Sequence, residues 1–219
     1  MRSTLAILLL LLGVPAAGDA QPGGAWGVEL LSGAPVNLDV PLSIRQEGEP
    51  RLEVTGGWRT EPFTPPIYWA LRVSLRRPAE AWSLELMHHK VYLADPPPEV
   101  QSFGASHGFN LVTLQRAWPH RLAELRAGAG IVLAHAESTV RGRRYDETQG
   151  LFAAGYHVAG PAALVAAARR WSPQPWLALA LEARASVAPA RVPIAGGEAR
   201  FTNVALHLMV GVAFERAAQ

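Results

Sequence analysis

The last strand-like stretch of the chain, residues 203–214, places the strictest limit on the fold. Its large apolar residues occupy every second position: Val204, Leu206, Leu208, Val210, Val212 and Phe214. The residues between them are polar or small, except Met209. Because successive side chains of a β-strand point to opposite faces, this pattern predicts a strand with one apolar face and one mildly polar face. A helix would need a period of about 3.6 residues, which the stretch lacks.

The N-terminus predicts export of the chain. One arginine, an apolar run from Leu5 to Leu12 and small residues up to Ala20 indicate a secretory signal peptide over residues 1–20. We expect cleavage after Ala20, with Ala17 as the alternative. The run is too short for a membrane-spanning helix, which takes about 20 residues. No cysteine follows, so we expect neither a lipoprotein anchor nor disulfide or thiolate chemistry.

The remaining composition favours one domain that does not bind nucleic acid. Residues 21–219 suit a single domain. The formal net charge is +2, and the aromatic residues do not alternate with a basic stripe. No later segment approaches the roughly 18 uninterrupted apolar residues of a membrane helix.

The alternating pattern recurs along the chain, and the connections alternate in length. Short connections are expected at residues 77–80, 117–120 and 172–175, and long loops at 94–102, 136–149 and 188–199. The alternation is irregular at residues 106–110, which predicts a β-bulge. Residues 162–170 are rich in alanine, so a helix competes there. The tight turn and the alternating stretch that follow favour a strand.

Short turns at one end and longer loops at the other are typical of transmembrane β-barrels. A soluble sandwich would instead have to bury every apolar stripe between two sheets. The seven tryptophans fall mostly near predicted strand ends, as an interfacial girdle would place them. The sequence therefore predicts an all-β, antiparallel up-and-down transmembrane β-barrel of about eight strands, with ten as the alternative. The barrel is expected over residues 51–216, and residues 21–50 as an accessory or first-strand segment.

On the signal peptide, the alternation over residues 51–214, the rhythm of turns and loops and the terminal strand with Phe214, the chain resembles the small outer-membrane β-barrel proteins of Gram-negative bacteria. Such barrels usually end on an aromatic residue that the assembly machinery reads, and here five residues, 215–219, follow Phe214. The resemblance implies a cell outer-membrane location reached through the periplasm. It also implies contact with outer-membrane lipids, lipopolysaccharide and the assembly machinery. No cofactor is expected.

The class also contains lipid A-modifying enzymes, a deacylase and a palmitoyl transferase. The deacylase resembles a serine hydrolase with His and Ser two residues apart on one strand and a Glu nearby. The nearest stretch here has Ser106 and His107 adjacent, so on a regular strand they face opposite sides. A bulge would bring them together, with Glu124 or Glu85 orienting His107. The structural alternative is that His107 and Asn110 fill the lumen or brace a loop.

Charged residues on the polar faces predict a paired network inside a narrow lumen, because an unpaired buried charge costs several kcal/mol. Its expected members are Arg72, Arg76, Glu85, Arg126, Glu182, Arg184 and His207, together with Glu124. The alternative is that these residues line a conducting path. No metal site is predicted, since His88 and His89 diverge on a strand and no Cys or clustered Asp completes a set with His107. The loop at residues 141–144 either binds lipopolysaccharide phosphates through its arginines or is a solvated tip.

The sequence thus predicts a small outer-membrane β-barrel with a structural, adhesive or narrow-channel role and no catalysis. One alternative is a lipid A-modifying acyl hydrolase that uses His107, Ser106 and a Glu. Another is a pore for small solutes lined by Arg72, Arg76, Glu124 and Arg184.

Overall fold

A computed structural model describes residues 24–146, 150–151 and 154–217 of the chain. The expected signal peptide lies outside the described residues. No helix long and apolar enough to cross a membrane occurs in the part of the chain that the structure describes. The strands are β1 (Ala25–Asn37), β2 (Val40–Gln46), β3 (Leu52–Gly56), β4 (Trp58–Arg59), β5 (Trp69–Arg76), β6 (Ala81–His88), β7 (Val91–Leu93), β8 (Val100–Ala105), β9 (Phe109–Pro119), β10 (Glu124–Ala134), β11 (Glu137–Val140), β12 (Arg143–Asp146), β13 (His157–Gln174), β14 (Leu177–Ile194) and β15 (Gly197–Ala217).

Eight of these strands form a closed antiparallel barrel, which confirms the predicted fold class. The order is β1, β5, β6, β9, β10, β13, β14 and β15, and β1 also pairs with β15. That closing register runs from Ala25 opposite Ala217 to Asn37 opposite Ala205. Closure leaves the barrel without a free strand edge, so its backbone groups find partners within the sheet. The alanine-rich stretch at residues 162–170 lies within β13 and is a strand, paired with β10 and β14.

The first barrel strand lies within residues 21–50, where an accessory or first-strand segment was expected, and does not begin at residue 51. Residues 25–37 close the barrel, whereas residues 51–59 lie outside it as β3 and β4, paired with β2 and β7. The physical reason is length, because a strand needs about 9–11 residues to cross a bilayer. Gly57 separates β3 from β4, which contain five and two residues, while β1 contains thirteen.

The barrel exterior carries an apolar belt. Alternate residues of the barrel strands are large, apolar and exposed, for example Leu84, Leu114, Val165 and Val210, with exposed fractions of 56–60%. Their sequence neighbours point inward and are small, polar or charged. An apolar outside and a polar inside is the inverse of a soluble protein, and it matches the side-chain alternation of a barrel in lipid.

Three short connections lie at one end, which we call the turn end: residues 77–80, 120–123 and 175–176. Exposed tryptophans ring this end, namely Trp26, Trp82, Trp118 and Trp176. The girdle expected from the sequence is therefore found at the turn end. Trp58 does not belong to it, since it lies buried at the opposite end, which we call the loop end.

The expected loop at residues 188–199 is instead a hairpin. β14 continues to Ile194 and β15 begins at Gly197, with Gly196 in the left-handed region at φ 70°. The stretch contains Pro189 and Pro193, and proline cannot donate to a ladder. The register between β13 and β14 ends at Val187, so beyond it β14 is an edge that tolerates proline.

Three further stretches differ from the expected pattern, all near the loop end. Residues 136–149 contain the hairpin of β11 and β12, which turns at Arg141 and Gly142, both with positive φ. The expected bulge at residues 106–110 is a break between β8 and β9. Residues 81–93, which alternate as one strand would, are likewise divided into β6 and β7.

These short strands build a second layer of structure on the loop end, which we call the cap. It consists of the sheet β12-β11-β8-β7-β4, the hairpin β2-β3 and the ends of β14 and β15. Its core is apolar and aromatic. Trp58 stacks on Phe201 at 4.6 Å between ring centroids, and Phe103 packs edge-on against both. The indole N–H of Trp58 donates to the carbonyl of Val40 at 2.9 Å.

Candidate functional site

A cluster of polar side chains lies where the barrel meets the cap. Ser106 and His107 are in the connection from β8 to β9, and His135 is in the connection from β10 to β11. These connections are adjacent because β9 and β10 pair, with Phe109 opposite Ala134. The backbone N–H of His135 donates to the carbonyl of Gly108 at 2.9 Å, which joins the two connections directly.

Ser106, His107 and Glu137 share one hydrogen-bonded arrangement. The Ser106 hydroxyl lies 3.0 Å from His107 Nδ1 and donates to Glu137 Oε1 at 2.5 Å. His107 Nδ1 itself lies 2.5 Å from the same Glu137 oxygen. Ser106 and Glu137 therefore both contact the imidazole of His107 at the same nitrogen, Nδ1.

This geometry differs from a nucleophilic triad. In a triad the base contacts the nucleophile through one ring nitrogen and the orienting acid through the other. Here Ser106 and Glu137 both approach Nδ1 of His107, and the serine proton is directed to the carboxylate. The arrangement fixes the three side chains together, but it leaves the imidazole without a separate contact for activating the serine.

The acid next to His107 is not the one expected. Glu124 lies at the turn end, where it pairs with Arg76 and, at 2.6 Å, with Arg126. Glu85 is fully buried in the lumen. Glu137 was missed because its segment was interpreted as a loop, although it stands two residues after His135, a spacing that places both on one face of a strand.

His135 completes the cluster and was also missed in the sequence. Its Nδ1 lies 3.1 Å from the carbonyl of Ala154, and its ring lies 4.9 Å from that of His107 between centroids. Its Nε2 lies 3.8 Å from Glu137 Oε1 and 3.7 Å from Asp146 Oδ1.

The two other histidines considered for a metal lie apart from this cluster. Nδ1 of His88 bonds to Asn110 Oδ1 at 2.8 Å. Nε2 of His89 bonds to Asn37 Oδ1 at 3.0 Å, and its side chain is fully buried. Both residues act as interior hydrogen-bonding groups of the barrel.

A second polar site fills the lumen toward the turn end. It contains the expected residues Arg72, Arg76, Glu85, Glu124, Arg126, Glu182 and Arg184, and in addition Glu29, Arg170 and Glu215. Five arginines thus face five glutamates, and their formal charges cancel. We call this set the lumen network.

Arg72 is at the centre of the lumen network. It stands opposite Glu29 on β1 and opposite Glu85 on β6 in the strand register. Its guanidinium reaches Glu29 at 2.6 Å, Glu85 at 2.7 Å and, across the lumen, Glu182 at 2.9 Å. Arg184 joins the last two carboxylates from β14, each at 2.6 Å. These charges are paired and doubly hydrogen-bonded, as buried charges must be.

His207 lies beside the lumen network rather than in it. Its Nδ1 bonds to the Tyr68 hydroxyl at 2.9 Å and its Nε2 to the Ser186 hydroxyl at 2.8 Å. All three side chains are buried. The lumen therefore changes from ionic near the turn end, through this neutral layer, to the apolar core of the cap.

A surface cleft of about 400 Å³ lies on the cap, with Glu137 in its wall. Tyr92 and Phe103 also line it. Burial, followed by the nearby charge of Glu61, raises the pKa of Tyr92, and the guanidinium of Arg59 lies 4.7 Å from the ring centroid. The tyrosine is therefore neutral where it lines this cleft.

Comparison with solved structures finds several bacterial surface proteins at low sequence identity. Neisserial surface protein A has a TM-score of 0.42 and 9% identity over 90% of this chain and 99% of that chain. OprG of Pseudomonas aeruginosa has a TM-score of 0.42 and 8% identity over 92% and 99%. The attachment invasion locus protein Ail of Yersinia pestis has a TM-score of 0.35 and 7% identity over 86% and 99%. No protein-family model and no curated protein sequence matches the chain.

The pairing of the strands within this chain defines its fold. Eight antiparallel strands close on themselves, their outer face is an apolar belt, and their inner face holds a charge-balanced network. In this architecture the strands, rather than helices, satisfy the backbone within lipid. The chain is a small eight-stranded β-barrel of the outer-membrane type.

Proposed function

We propose that this protein is a closed, non-catalytic outer-membrane barrel that holds a folded β cap at the cell surface, in a structural or adhesive role. The observation that carries this proposal is the continuity of barrel and cap. β14 and β15 run without a break from the turn end into the cap, where β15 pairs with β2. The cap is thereby fixed to the barrel by a sheet rather than carried on a loose loop.

The interior supports a closed barrel more than a pore. Eight-stranded barrels have interiors that side chains can fill. Arg72 bonds to Glu182 across the lumen, Arg184 bonds to the same carboxylate, and all three side chains are buried. Trp58 and Phe201 pack in the cap core at the other end. Solutes moving along the axis would have to break paired charges and then pass an apolar core.

The proposal includes lipid as the main partner. The apolar belt suits the acyl chains of the outer membrane, and the chain would reach that membrane through the periplasm and its assembly machinery. Phe214 points outward at the turn end and stacks near Trp176 at 6.2 Å, which is a suitable position for a terminal aromatic signal. For lipopolysaccharide, Arg144 is the more available arginine, since its side chain is 79% exposed, against 17% for Arg141 and 48% for Arg143.

The acyl-hydrolase alternative is less well supported by the cluster geometry. Ser106 does contact His107, as that hypothesis requires. However, Glu137 occupies the same imidazole nitrogen, and Glu124 lies at the other end of the barrel. A structural role for the cluster, bracing the junction of barrel and cap, needs no further group.

Single-cysteine labelling tests the orientation that this function requires. The chain has no cysteine of its own, so each introduced thiol is unique. Arg144→Cys places one on the exposed β12 of the cap, and the matched Arg121→Cys places one in the exposed turn at residues 120–123. On intact cells we expect a large membrane-impermeant maleimide to label only Arg144→Cys, and both after permeabilisation. Labelling of Arg121→Cys alone on intact cells would reverse the orientation and reject the proposal.

Planar-bilayer recording tests the closed lumen. Because the lumen network joins charges on opposite walls, the purified protein is expected to give no single-channel steps above a protein-free detergent control. A wide porin handled in parallel establishes that channels are detectable in the same membrane. Reproducible steps from the folded protein would favour the pore alternative over the proposed closed barrel.

A further inference from the structure

The cluster at the junction of barrel and cap brings together donor atoms that suit a metal ion. His107, His135 and Glu137 each offer one nitrogen or oxygen, and these atoms all lie within 4.8 Å of one another. Two imidazoles and one carboxylate are a common ligand set for divalent transition metals, with a further position open to water. The structure thus brings together three ligand groups from two separate connections.

His135 is already oriented as a metal ligand would be. Its Nδ1 faces the carbonyl of Ala154, which accepts hydrogen bonds and cannot donate them. In the neutral imidazole the ring proton therefore sits on Nδ1, which leaves the lone pair on Nε2. That Nε2 faces Glu137 and Asp146. Metal-bound histidines usually have this support, with the other ring nitrogen donating to a carbonyl.

The carboxylates are arranged in a way that a cation would stabilise. Glu137 on β11 stands directly opposite Asp146 on β12 in the strand register. Like charges in opposite positions of a ladder repel each other. Arg144 lies 3.5 Å from Asp146, but Glu137 makes its contacts with Ser106 and the two histidines. A divalent ion between the imidazoles would offset the charge of both carboxylates.

The backbone around the cluster is fixed while its ligand side remains open. The Tyr156 hydroxyl donates to the carbonyl of His107 at 2.6 Å, and His135 N–H donates to Gly108. The side chain of His107 is 65% exposed and that of Glu137 is 33% exposed. An ion can therefore enter from solvent, and only small side-chain rotations are needed to close the ligand sphere.

We propose that His107, His135 and Glu137, assisted by Asp146, form a binding site for a divalent transition-metal ion of the Zn²⁺ or Cu²⁺ class. Two nitrogen ligands distinguish this site from those for Ca²⁺ and Mg²⁺, which prefer oxygen ligands. No metal site is predicted from the sequence, where only His88 and His89 are weighed as partners for His107 and no Cys or clustered Asp completes a set. The ligands of this site come together only when the β8–β9 and β10–β11 connections meet.

The test is metal binding to the full-length, folded, tag-free protein in detergent. Titration calorimetry with Zn²⁺ alone is expected to show one ion per chain. His135→Ala should weaken binding by at least about 100-fold and Glu137→Gln by about 10-fold, since even supporting groups of metal sites contribute about 10- to 100-fold. The matched control His120→Ala removes an exposed histidine at the turn end and should leave the affinity unchanged.

Spectroscopy of Cu²⁺ on the same protein gives a second readout. Electron paramagnetic resonance should show coupling to two imidazole nitrogens, falling to one in His135→Ala. The cluster lies outside the barrel wall, so every variant should keep its heat-modifiable gel mobility. The proposal is overturned if the wild-type protein binds Zn²⁺ no more tightly than the double variant His107→Ala/His135→Ala. It is equally overturned if His120→Ala loses as much affinity as His135→Ala, or if bound Cu²⁺ shows no nitrogen coupling.

Discussion

Replacing Arg72 by methionine is expected to lower the free energy of unfolding by about 3–5 kcal/mol, because it removes one partner of a buried ionic network. Arg72 is 1% exposed and bonds to Glu29, Glu85 and Glu182. Its loss leaves the lumen network with one excess negative charge in a site without bulk water. Urea unfolding of the protein in detergent or vesicles, followed by tryptophan fluorescence and heat-modifiable mobility, measures the change.

Two matched variants separate charge imbalance from loss of packing. Arg72→Met with Glu182→Gln restores neutrality, and every remaining member keeps a partner: Arg184 keeps Glu85, Arg170 keeps Glu29 and Arg126 keeps Glu124. The double variant should therefore be more stable than Arg72→Met alone by more than about 1 kcal/mol. Arg116→Met, which breaks an exposed pair with Glu80, should cost less than about 1 kcal/mol. If Arg72→Met were no more harmful than Arg116→Met, the network would contribute no stability.

Replacing Trp58 by alanine is expected to unfold the cap while the barrel stays intact. Trp58 stacks on Phe201, packs against Phe103 and donates to Val40, so the substitution leaves a large cavity in a small core. Substitutions of this kind cost about 3–5 kcal/mol. The cap segments are then expected to become sensitive to protease. The barrel should still show heat-modifiable mobility, because its ladder and lumen network are separate from this core.

The control for Trp58→Ala is Phe63→Ala, which removes an aromatic ring that is 75% exposed in the segment between β4 and β5. This variant should be as resistant to protease as the wild-type protein. The prediction for Trp58 is wrong if its variant shows the same resistance. It is also wrong if the barrel loses heat-modifiable mobility together with the cap, since that would make barrel and cap a single cooperative unit.

Much of the fold was predictable because the periodicity of a strand is local. The pleat directs Leu206, Val210 and Phe214 to the lipid-facing side of their strand whatever the rest of the chain does. On their own strands, Arg72 and Glu182 are directed to the lumen in the same way. The short turns at residues 77–80 and 175–176 were also visible as proline-containing breaks. Pairing inside the lumen could be expected in general terms, because charged residues on an inner face cannot remain without partners.

The predictions that were wrong are those in which the local sequence pattern favoured a different structure from the one observed. Residues 188–199 were expected to form a loop, but Pro189 and Pro193 lie on a part of β14 beyond its pairing with β13, where a strand tolerates proline. Residues 51–59 alternate well, yet the break at Gly57 leaves strands too short to cross a bilayer. In both cases the sheet environment, rather than the residue type, decided the outcome.

The sequence by itself determined the class of the fold and which side chains face lipid, since both follow from the alternation within each strand. Only the tertiary structure decided which strand closes the barrel, that Glu29, Arg170 and Glu215 join the lumen network, and that a cap is built from the long connections. It also decided that His107 meets Glu137 and His135 rather than Glu124. These pairings depend on register and closure, which place residues far apart in the chain side by side, and no local pattern records them.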